Sequence, residues 1–405
     1  MDNWRDSKIK ELCTLHYGKS PKGIDSDDGI YPIYGTGGRV GSTNEYLYDK
    51  PSIILGRKGS IGNIHYVDKP FWTIDTTFYV EAKNCDTKWL YYLFSSLNIE
   101  KLNEATGVPS LSRNNIYAQM LKAPSDQKEQ QKIAEVLSTV DKKIDLIDQK
   151  IAETEKLKTG LMQKLFSEGV GVQDENGNWQ PHTEFRTTSI GQVPKTWQDA
   201  QIGDYVSELV SGVSVNSYDK QKTENEIGVL KTSAVIGGNF YPEFHKTVKP
   251  EDIARAKTTV KENTLVISRM NTPSLVGEFG YVSKDYNDLY LPDRLWMTVP
   301  TSKPHDVKAL SYLMQHYPVK KSIKELATGT SNSMKNISKG KFLAVYVPHI
   351  PYEEQMMIRE ILSTVDMKLE LLNKQKAETQ QLKKGLMQKL LTGEWRVPLE
   401  GTEAA

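Results

Sequence analysis

Loops rich in glycine carry basic, amide and hydroxyl side chains at several places in this sequence. Arginine presents paired donors that match the edge of guanine, asparagine matches adenine, and serine, threonine and lysine bind phosphate oxygens. In the first half these candidates are Thr36, Gly38, Arg39, Arg57, Lys58, Ser60, Arg113, Asn114 and Asn115. In the second half they are Lys231, Thr232, Ser233, Arg269, Asn271, Thr330, Ser331, Asn332, Lys335 and Asn336. Their recurrence at matching places in both halves predicts nucleic-acid binding and disfavours the alternative of merely solvated loops.

The balance of charge is local rather than global. The chain has 52 Lys and Arg against 51 Asp and Glu, a net charge of +1, which excludes a strong overall field for nucleic acid. Residues 303–341 nevertheless contain eight lysines against only Asp306 and Glu325. Because attraction to phosphate depends on nearby charge, this segment predicts a basic face.

Catalytic motifs are absent from the sequence. It contains no GxxxxGK[ST] phosphate loop, no HExxH or GxSxG, and no Asp/Asn-Pro-Pro-Tyr, the usual amino-methyltransferase signature. Asp75 with Glu81 and Lys83 loosely matches a nuclease metal site, but a strand with alternate exposed charges explains it better. Residues 35–38 could hold an anion through backbone N–H groups, although a plain turn is favoured.

Targeting signals are also absent. Cys13 and Cys85 lack zinc or disulfide spacing, which predicts a reducing compartment and no structural metal. The first thirty residues are polar and broken by Pro21 and Gly23, unlike a signal peptide, and no apolar run approaches the length of a membrane span. We therefore expect a soluble, cytoplasmic protein.

A long internal repeat organises the chain. Residues 129–165 and 354–390 align at a constant offset of 225 with 22 identities in 37 positions, and both contain LSTVD and GLMQKL. In each copy, apolar residues at alternating spacings of 3 and 4 predict the seam of a coiled coil. The seam residues are Leu137, Val140, Ile144, Ile147, Ile151, Leu161 and Leu165 in the first copy, and Leu362, Val365, Leu369, Leu372, Leu386 and Leu390 in the second.

Polar residues interrupt both seams at the same offset. They are Thr154 and Lys158 in the first copy, and Thr379 and Lys383 in the second. Leucine would make a simple two-stranded coil more stable, so these residues serve either register control within the pair or contact with a partner. The sequence leaves both interpretations open.

The repeats divide the chain into globule, helix, globule and helix. The predicted parts are a first globular domain at 1–123, a long helix at 124–168, a linker at 169–190, a second globular domain at 191–350, a long helix at 351–393 and a tail at 394–405. Short β-branched and aromatic runs separated by glycines predict mixed α/β globules. Each helix of about 40 residues would extend roughly 60 Å, more than a domain of this size can cover.

The second globule looks like a diverged copy of the first. Arg57 aligns with Arg269 at an offset of 212, and Ala-Thr-Gly recurs at 222, which places Arg113 over Lys335. A parallel helix pair would need a connection along its whole length, so an antiparallel pair is favoured. We predict an α+β fold: two α/β domains held apart by two long helices that form an antiparallel coiled coil, with internal pseudo-two-fold symmetry.

The duplicated EQ…ILSTVD…GLMQKL helices between two unlike globules closely resemble the specificity (S) subunit of Type I restriction–modification systems. The resemblance covers nearly the whole chain, and its most specific parts are 129–165 and 354–390. Residues 30–41 (IYPIYGTGGRVG) and 182–197 (HTEF…IGQVPKTW) also look like stretches common at the starts of target-recognition domains.

The resemblance implies recognition and assembly rather than catalysis. Each globule would be a target-recognition domain that reads one half of a bipartite site in double-stranded DNA. The paired helices would set the spacer and dock two methyltransferase (M) subunits, which bind S-adenosylmethionine and methylate adenine. ATP and Mg would serve two restriction (R) subunits where the system has them. This chain would be non-catalytic, hold no cofactor or metal, and contact no membrane.

Two other functions compete with this one. A self-contained modification or restriction enzyme is disfavoured by the missing motifs. A coiled-coil scaffold that joins protein partners through two peptide-binding globules is the alternative of a different class.

Overall fold

The computed structural model describes residues 3–329 and 334–398, and the chain divides into two compact units. The first unit combines Met1–Lys150 with Leu372–Ala405, and the second is Ile151–Leu371. Each unit therefore contains one predicted globule together with a segment of each long helix.

The elements of the first unit are short apart from one long helix that continues into the second. Its strands are β1 (Trp4–Lys8), β2 (Cys13–Tyr17), β3 (Tyr31–Gly35), β4 (Gly38–Thr43), β5 (Ser52–Gly56), β6 (Ile64–Val67), β7 (Trp72–Thr73), β8 (Thr77–Ala82) and β9 (Met120–Pro124). Its helices are α1 (Ile9–Leu12), α2 (Thr87–Ser96), α3 (Arg113–Tyr117) and α4 (Gln127–Ser167), with a 3-10 helix at Ile99–Leu102.

A four-stranded antiparallel sheet in the order β2–β8–β5–β6 is the centre of the first unit. Every residue of β5 is buried because both faces of the strand are covered. Ile53 and Leu55 pack in the core that contains Trp89 of α2, whereas Ile54 packs with Phe71 in a smaller cluster. A continuous apolar run is typical of a strand buried on both faces.

The second unit has more strands than the first. They are β10 (Val172–Gln173), β11 (Trp179–Gln180), β12 (Phe185–Thr188), β13 (Gly191–Pro194), β14 (Gln198–Gln201), β15 (Val206–Ser211), β16 (Ser217–Tyr218), β17 (Gly228–Leu230), β18 (Val235–Ile236), β19 (Gly238–Phe240), β20 (His245–Val248), β21 (Thr259–Val260), β22 (Thr264–Ser268), β23 (Met270–Asn271), β24 (Phe279–Val282), β25 (Tyr286–Tyr290), β26 (Leu295–Pro300), β27 (Lys335–Asn336) and β28 (Tyr346–His349). The helices are α5 (Val307–Gln315), α6 (Tyr317–Glu325), α7 (Lys339–Leu343) and α8 (Tyr352–Leu390), with 3-10 helices at Ile202–Asp204, Thr232–Ala234 and Pro250–Arg255.

The main sheet of the second unit repeats the pattern of the first. Its order is β15–β26–β22–β24–β19–β18, and β22 is buried at every residue. Leu265 and Ile267 pack in one core while Val266 packs in another, as Ile53, Leu55 and Ile54 do in β5. A second sheet, β16–β20–β17–β25–β21, has five strands where the first unit has the three-stranded β4–β3–β7.

The long helices pair antiparallel, and the predicted fold class of two α/β domains with such a pair is confirmed. In the first unit Lys376 of α8 binds Asp148 of α4 at 2.6 Å, and Lys383 binds Asp141 at 2.5 Å, so the two chains run in opposite directions. In the second unit the end of α4 and the beginning of α8 share one core.

Both long helices have nearly the predicted length, and every predicted seam residue is buried or half-buried. α4 has 41 residues and α8 has 39. Among the helices that the structure describes, none is long and apolar enough to cross a membrane.

Residues 169–190, which the sequence analysis interpreted as a linker, are folded into the second unit. They contain the β10–β11 hairpin and the strand β12. Gly169 and Gly171 adopt positive φ angles of 73° and 135°, which lets the chain turn sharply after α4. The N–H groups of Val170 and Gly171 then donate to Glu354 at 2.7 and 3.1 Å. Composition alone could not show this buried acceptor.

Candidate nucleic-acid interface

An arginine follows the central strand of each unit. Arg57 comes directly after β5 and Arg269 directly after β22. The main-chain carbonyl of Arg57 accepts a hydrogen bond from the Leu111 N–H, and that of Arg269 accepts one from the Ile337 N–H, both at 2.9 Å. These matched bonds place the two arginines at equivalent positions in the two units.

Each of these guanidinium groups lies beside an aromatic ring of the neighbouring strand. The Cζ atom of Arg57 is 6.0 Å from the centre of the Phe78 ring, and that of Arg269 is 5.9 Å from the Trp296 ring. Aromatic faces attract cations at such distances. The Nε atoms of both arginines are buried, and neither has a hydrogen-bond partner within residues 3–329 and 334–398. An unsatisfied buried donor is unfavourable, and each Nε can meet an acceptor only if its side chain moves.

Tyr17 brings Arg57 and Arg113 into one cluster. The ring ends β2 with 49% of its surface exposed, and the Cζ atoms of Arg57 and Arg113 lie 5.1 and 4.2 Å from its centre. The Arg113 Nε is another buried donor without a partner in the part of the chain that the structure describes. Tyr17 was not predicted from the sequence, although an aromatic residue before the polar segment Gly18-Lys19-Ser20 was an available signal.

The counterpart of Tyr17 in the second unit is a small residue. Tyr17 pairs with Phe78 across β2 and β8, and Ser211 pairs with Trp296 across β15 and β26. Arg269 therefore has a tryptophan beside it but no second exposed ring at this position.

The predicted match between Arg113 and Lys335 is wrong. Ser112 caps α3, which begins at Arg113, and Ser338 occupies the same position before α7, which begins at Lys339. The counterpart of Arg113 is thus Lys339. Ile116 and Phe342, each three positions after the start of its helix, are fully buried, and this packing fixes the register. The recurring Ala-Thr-Gly lies outside the helices and strands.

Four predicted residues of the second unit lie together around one short ribbon. Asn271 of β23 is opposite Lys335 of β27, next to Arg269 and Asn336. The Asn271 amide donates to the Ser268 hydroxyl at 3.1 Å, which fixes its orientation. These residues are strand and ribbon positions rather than parts of the loops that the sequence predicted.

Several other candidates are occupied by contacts within the chain. The Arg39 guanidinium donates to the Ser42 hydroxyl at 2.7 Å, within its own strand. Lys231 forms an ion pair with Asp219 at 3.3 Å. The Asn115 amide donates to the Glu104 carboxylate, and Asn115 lies in α3 rather than in a loop.

The remaining candidates are wholly or partly exposed. Thr36 and Gly38 belong to the β3–β4 hairpin, Lys58 and Ser60 to the segment after β5, Asn114 to α3, and Thr232 and Ser233 to a 3-10 helix. Thr330, Ser331 and Asn332 lie outside the described residues.

The lysine-rich segment 303–341 is less free than its composition predicted. Lys320 and Lys324 bind the buried Glu278 at 2.9 and 3.3 Å. Burial alone would raise the pKa of Glu278, but the Gly237 N–H and these two lysines hold it below its ordinary value. Part of the expected basic face is therefore an internal ion-pair network.

The loose nuclease pattern has another explanation. The Glu81 carboxylate of β8 forms a hydrogen bond with the His16 ring of β2 at 2.8 Å. No group of three or more His, Cys, Asp or Glu is arranged to hold a metal ion anywhere in residues 3–329 or 334–398.

The interrupted seams contain a duplicated polar cluster. In the first unit the Asp141 carboxylate accepts from the Tyr92 hydroxyl at 2.7 Å and binds Lys383 at 2.5 Å. The Lys383 Nζ lies 5.6 Å from the Tyr92 ring centre. Burial and the hydrogen bond to Asp141 raise the pKa of Tyr92 well above its ordinary value, so the hydroxyl stays protonated and donates.

The second unit repeats this cluster with the helices exchanged. Asp366 of α8 accepts from the Tyr312 hydroxyl at 2.6 Å and binds Lys158 of α4 at 2.7 Å. The Lys158 Nζ is again 5.6 Å from the tyrosine ring. We call these two sets of residues the junction clusters. They assign Lys158 and Lys383 to contacts within the chain, and they favour register control over a partner contact.

A buried glutamate lies in the first turn of each long helix. Glu129 accepts from the Trp4 indole at 3.1 Å and from the Arg396 guanidinium at 2.5 and 2.8 Å. Glu354 accepts from the Trp197 indole at 2.7 Å. Carboxylates are favourable near a helix N-terminus. Arg396 belongs to the predicted tail, whose beginning is thus part of the first unit.

Exposed leucines recur at the repeat offset on the long helices. Leu146 and Leu371 are each 56% exposed, and Leu157 and Leu382 are 50% and 52% exposed. Leu146 and Leu382 line a groove of about 510 Å³ in the first unit. Both helix copies therefore present apolar side chains to solvent at the same two positions, apart from the seam.

The family model for the Type I restriction modification DNA specificity domain matches residues 1–156 and 194–381 of this chain. The chain belongs to this family. It is 26% identical over 417 residues to the Type I restriction enzyme MjaVIII specificity subunit of Methanocaldococcus jannaschii, with 98% of this chain and 94% of that protein covered. A second relative, the putative MjaX specificity subunit of the same organism, is 29% identical over 317 residues, with 76% and 68% covered.

Solved structures share the fold of this specificity-family chain. The S subunit of a Type I restriction–modification system from M. genitalium matches with a TM-score of 0.63 at 18% identity, and 96% of both chains is covered. A chain from work on assembly and conformational transition of the type I R-M system matches at 0.53 and 14%, with 98% of this chain and 99% of that chain covered.

Proposed function

We propose that this chain is the DNA sequence-recognition subunit of a Type I restriction–modification complex, with each unit reading one half of a bipartite site. The duplicated arginine carries this proposal. Arg57 and Arg269 occupy equivalent positions beside aromatic rings and keep unsatisfied donors. Paired arginine donors match guanine acceptors in the major groove. Membership of the specificity family supports the same function.

Two methyltransferase subunits dock on the long helices in this proposal. The leucines that recur at the repeat offset support it, because a duplicated surface offers the same site twice to two copies of one partner. The methyltransferase subunits bind S-adenosylmethionine and methylate adenine, and two restriction subunits with ATP and Mg join where the system has them. This chain is then a non-catalytic, cytoplasmic subunit.

The helix pair sets the number of unread base pairs between the half-sites. Two readers that address the same face of a duplex require half-site centres about one turn, or roughly 34 Å, apart. The junction clusters support this role because they fix the register of α4 against α8 with paired charges in both units.

The alternative of a coiled-coil scaffold with peptide-binding globules does not explain the arginine clusters. A peptide-binding globule does not need matched guanidinium groups with unsatisfied buried donors in both units. We therefore do not favour it.

Methylation sequencing of a lengthened chain tests the proposal. The wild-type chain, co-expressed with its methyltransferase, should produce one split motif. Insertion of one heptad at matched positions of α4 and α8 adds about 10 Å, and should lengthen the unread spacer by about three base pairs. Both half-sites should keep their bases. A continuous wild-type motif, or a lengthened chain with changed half-site bases and the original spacer, would contradict the proposal.

A further inference from the structure

The two units differ around their matched arginines, and the proposed function does not explain this difference. In the first unit Arg57 shares the exposed Tyr17 ring with Arg113. In the second unit the position of Tyr17 is Ser211, and that of Arg113 is Lys339.

Arg57, Arg113 and Arg269 differ from four other arginines in their contacts. Arg186, Arg255, Arg359 and Arg396 each bind a carboxylate, at 2.7, 2.9, 3.0 and 2.5 Å. By contrast, Arg57, Arg113 and Arg269 bind no carboxylate among the residues that the structure describes, and each is placed by an aromatic ring instead. The guanidinium groups of the first set are neutralised within the fold, whereas those of the second set keep a charge that a ligand can pair with.

The geometry restricts how these guanidinium groups can approach that ligand. The Arg57 Nη2 donates to the Asp75 carbonyl at 2.9 Å, so one side of the group is fixed while other donors stay open. A planar fork held on a ring is already ordered, so it loses little rotamer entropy when it pairs with two acceptors. Guanine offers two acceptors at this spacing on its major-groove edge, while a phosphate contact would need only the charge.

We propose that Arg57 and Arg269 are matched guanine-reading residues, one for each half-site, and that Arg113 reads a second guanine in the first half-site only. Tyr17 is the positioning residue that holds Arg57 and Arg113 side by side. This inference rests on the proposed function and deepens it. The second unit lacks the additional contact because lysine in place of arginine cannot form a bidentate pair, and Ser211 offers no ring.

Charge-conserving variants test the inference in the complex with the methyltransferase. Arg57→Lys keeps the charge and removes the bidentate fork, so methylation sequencing should show a loss of about 5- to 150-fold in preference at one guanine of the first half-site. Arg113→Lys should relax another guanine of that half-site, and Arg269→Lys one guanine of the second. Arg255→Lys is the matched control, because Arg255 is neutralised by Asp252 within the fold, and it should leave the motif unchanged.

Variants of Tyr17 separate positioning from packing. Tyr17→Ser, which copies the second unit, should weaken both guanine preferences of the first half-site. Tyr17→Phe should retain both preferences because the ring is kept. A wild-type complex without a split motif would refute the proposed function itself. Two results would overturn only the proposed base-reading roles of Arg57, Arg113 and Arg269. One is a split wild-type motif that all three lysine variants retain, and the other is a uniform loss of methylation at every sequence.

Discussion

The junction clusters and the arginine clusters of the two units have diverged to very different degrees. In the first unit Lys383 binds Asp141 beside Tyr92, and in the second Lys158, Asp366 and Tyr312 repeat every contact. On the other surface, an exposed tyrosine between two arginines in the first unit corresponds to a serine in the second.

The small sheets differ as well. The β3–β4 hairpin of the first unit turns within two residues, whereas β17 of the second is followed by a 3-10 helix and two further strands before β20. Elements that hold two long helices in register must satisfy the same geometry twice. Surfaces that read unrelated halves of a target, as proposed for the arginine clusters, have no such requirement. The contacts between the long helices are therefore duplicated, whereas the proposed reading surfaces are not.

The largest expected effect is on assembly. Leu146→Glu with Leu371→Glu places a charge at the matched exposed apolar positions of both helices, and should weaken methyltransferase binding at least about 100-fold, since burying an unpaired charge is strongly unfavourable. Co-purification and calorimetry would measure this. Gln149→Glu, on the exposed side of α4, is the control and should bind normally. Unchanged binding of the double variant would place the docking site elsewhere.

Loss of the buried glutamates should destabilise the packing of the first turns of the two long helices. Glu354→Ala removes the acceptor of an indole and two main-chain N–H groups, and should lower the free energy of unfolding by about 3–5 kcal/mol. Glu129→Ala should have a smaller effect of about 2–3 kcal/mol, because its partner Arg396 is partly exposed and can be solvated. Urea unfolding of the purified chain would measure both. Substitution of the neighbouring exposed residue, Glu353→Ala, should change the free energy of unfolding by less than about 0.5 kcal/mol. Equal effects of all three substitutions would show that the buried glutamates do not stabilise the helix starts.

Acid should affect the second unit through a residue that the first lacks. Burial lowers the pKa of His316 from 6.5 to about 4, so the folded state holds the neutral ring. Its stabilising contribution is present above about pH 6.5 and is lost as pH falls toward 4. His316 is the C-cap residue of α5, whereas the C-cap residue of α2 is Leu97. His316→Leu should therefore reduce the loss of stability between pH 7 and pH 4.5 by about 1–3 kcal/mol, measured by urea unfolding. An unchanged pH dependence of the free energy of unfolding would show that His316 is not the residue responsible for this acid sensitivity.

The smallest effect concerns an ion pair between the two long helices that the repeat does not share. Lys376 binds Asp148, but the equivalent positions are Ile151 and Asn373. Lys376→Ile copies the first helix, and should change the free energy of unfolding by less than about 1 kcal/mol, because the pair is partly exposed. Thermal unfolding would measure it. A loss greater than that of Lys383→Ala would show that this pair, and not the junction cluster, fixes the register.

The sequence predicted the duplicated architecture because seams and repeats are local patterns. The 3-and-4 spacing identified both helices, and the alignment of Arg57 with Arg269 matched the segments that contain β5 and β22. Residues 169–190 were misinterpreted because their polar composition does not reveal that Glu354 accepts from their backbone.

The candidate site was predicted less completely. Arg57 and Arg269 follow hydrophobic runs that align, so the sequence could identify them as equivalent. Tyr17 is distant in sequence from Arg57 and Arg113, and only the pairing of β2 with β8 brings the three together. The true counterpart of Arg113 depends on which residue of a five-residue helix faces the core, and no short sequence match could establish that.

Exchange of one reading domain tests the central claim most directly. Residues 191–350 would be replaced by the corresponding domain of another family member, and the methylated motif of the complex would be determined by genome-wide sequencing. If each unit reads its own half, the bases of one half-site should change while the other half-site and the spacer length stay as in the wild type. A motif that changes in both halves, or in neither, would contradict independent reading by the two units.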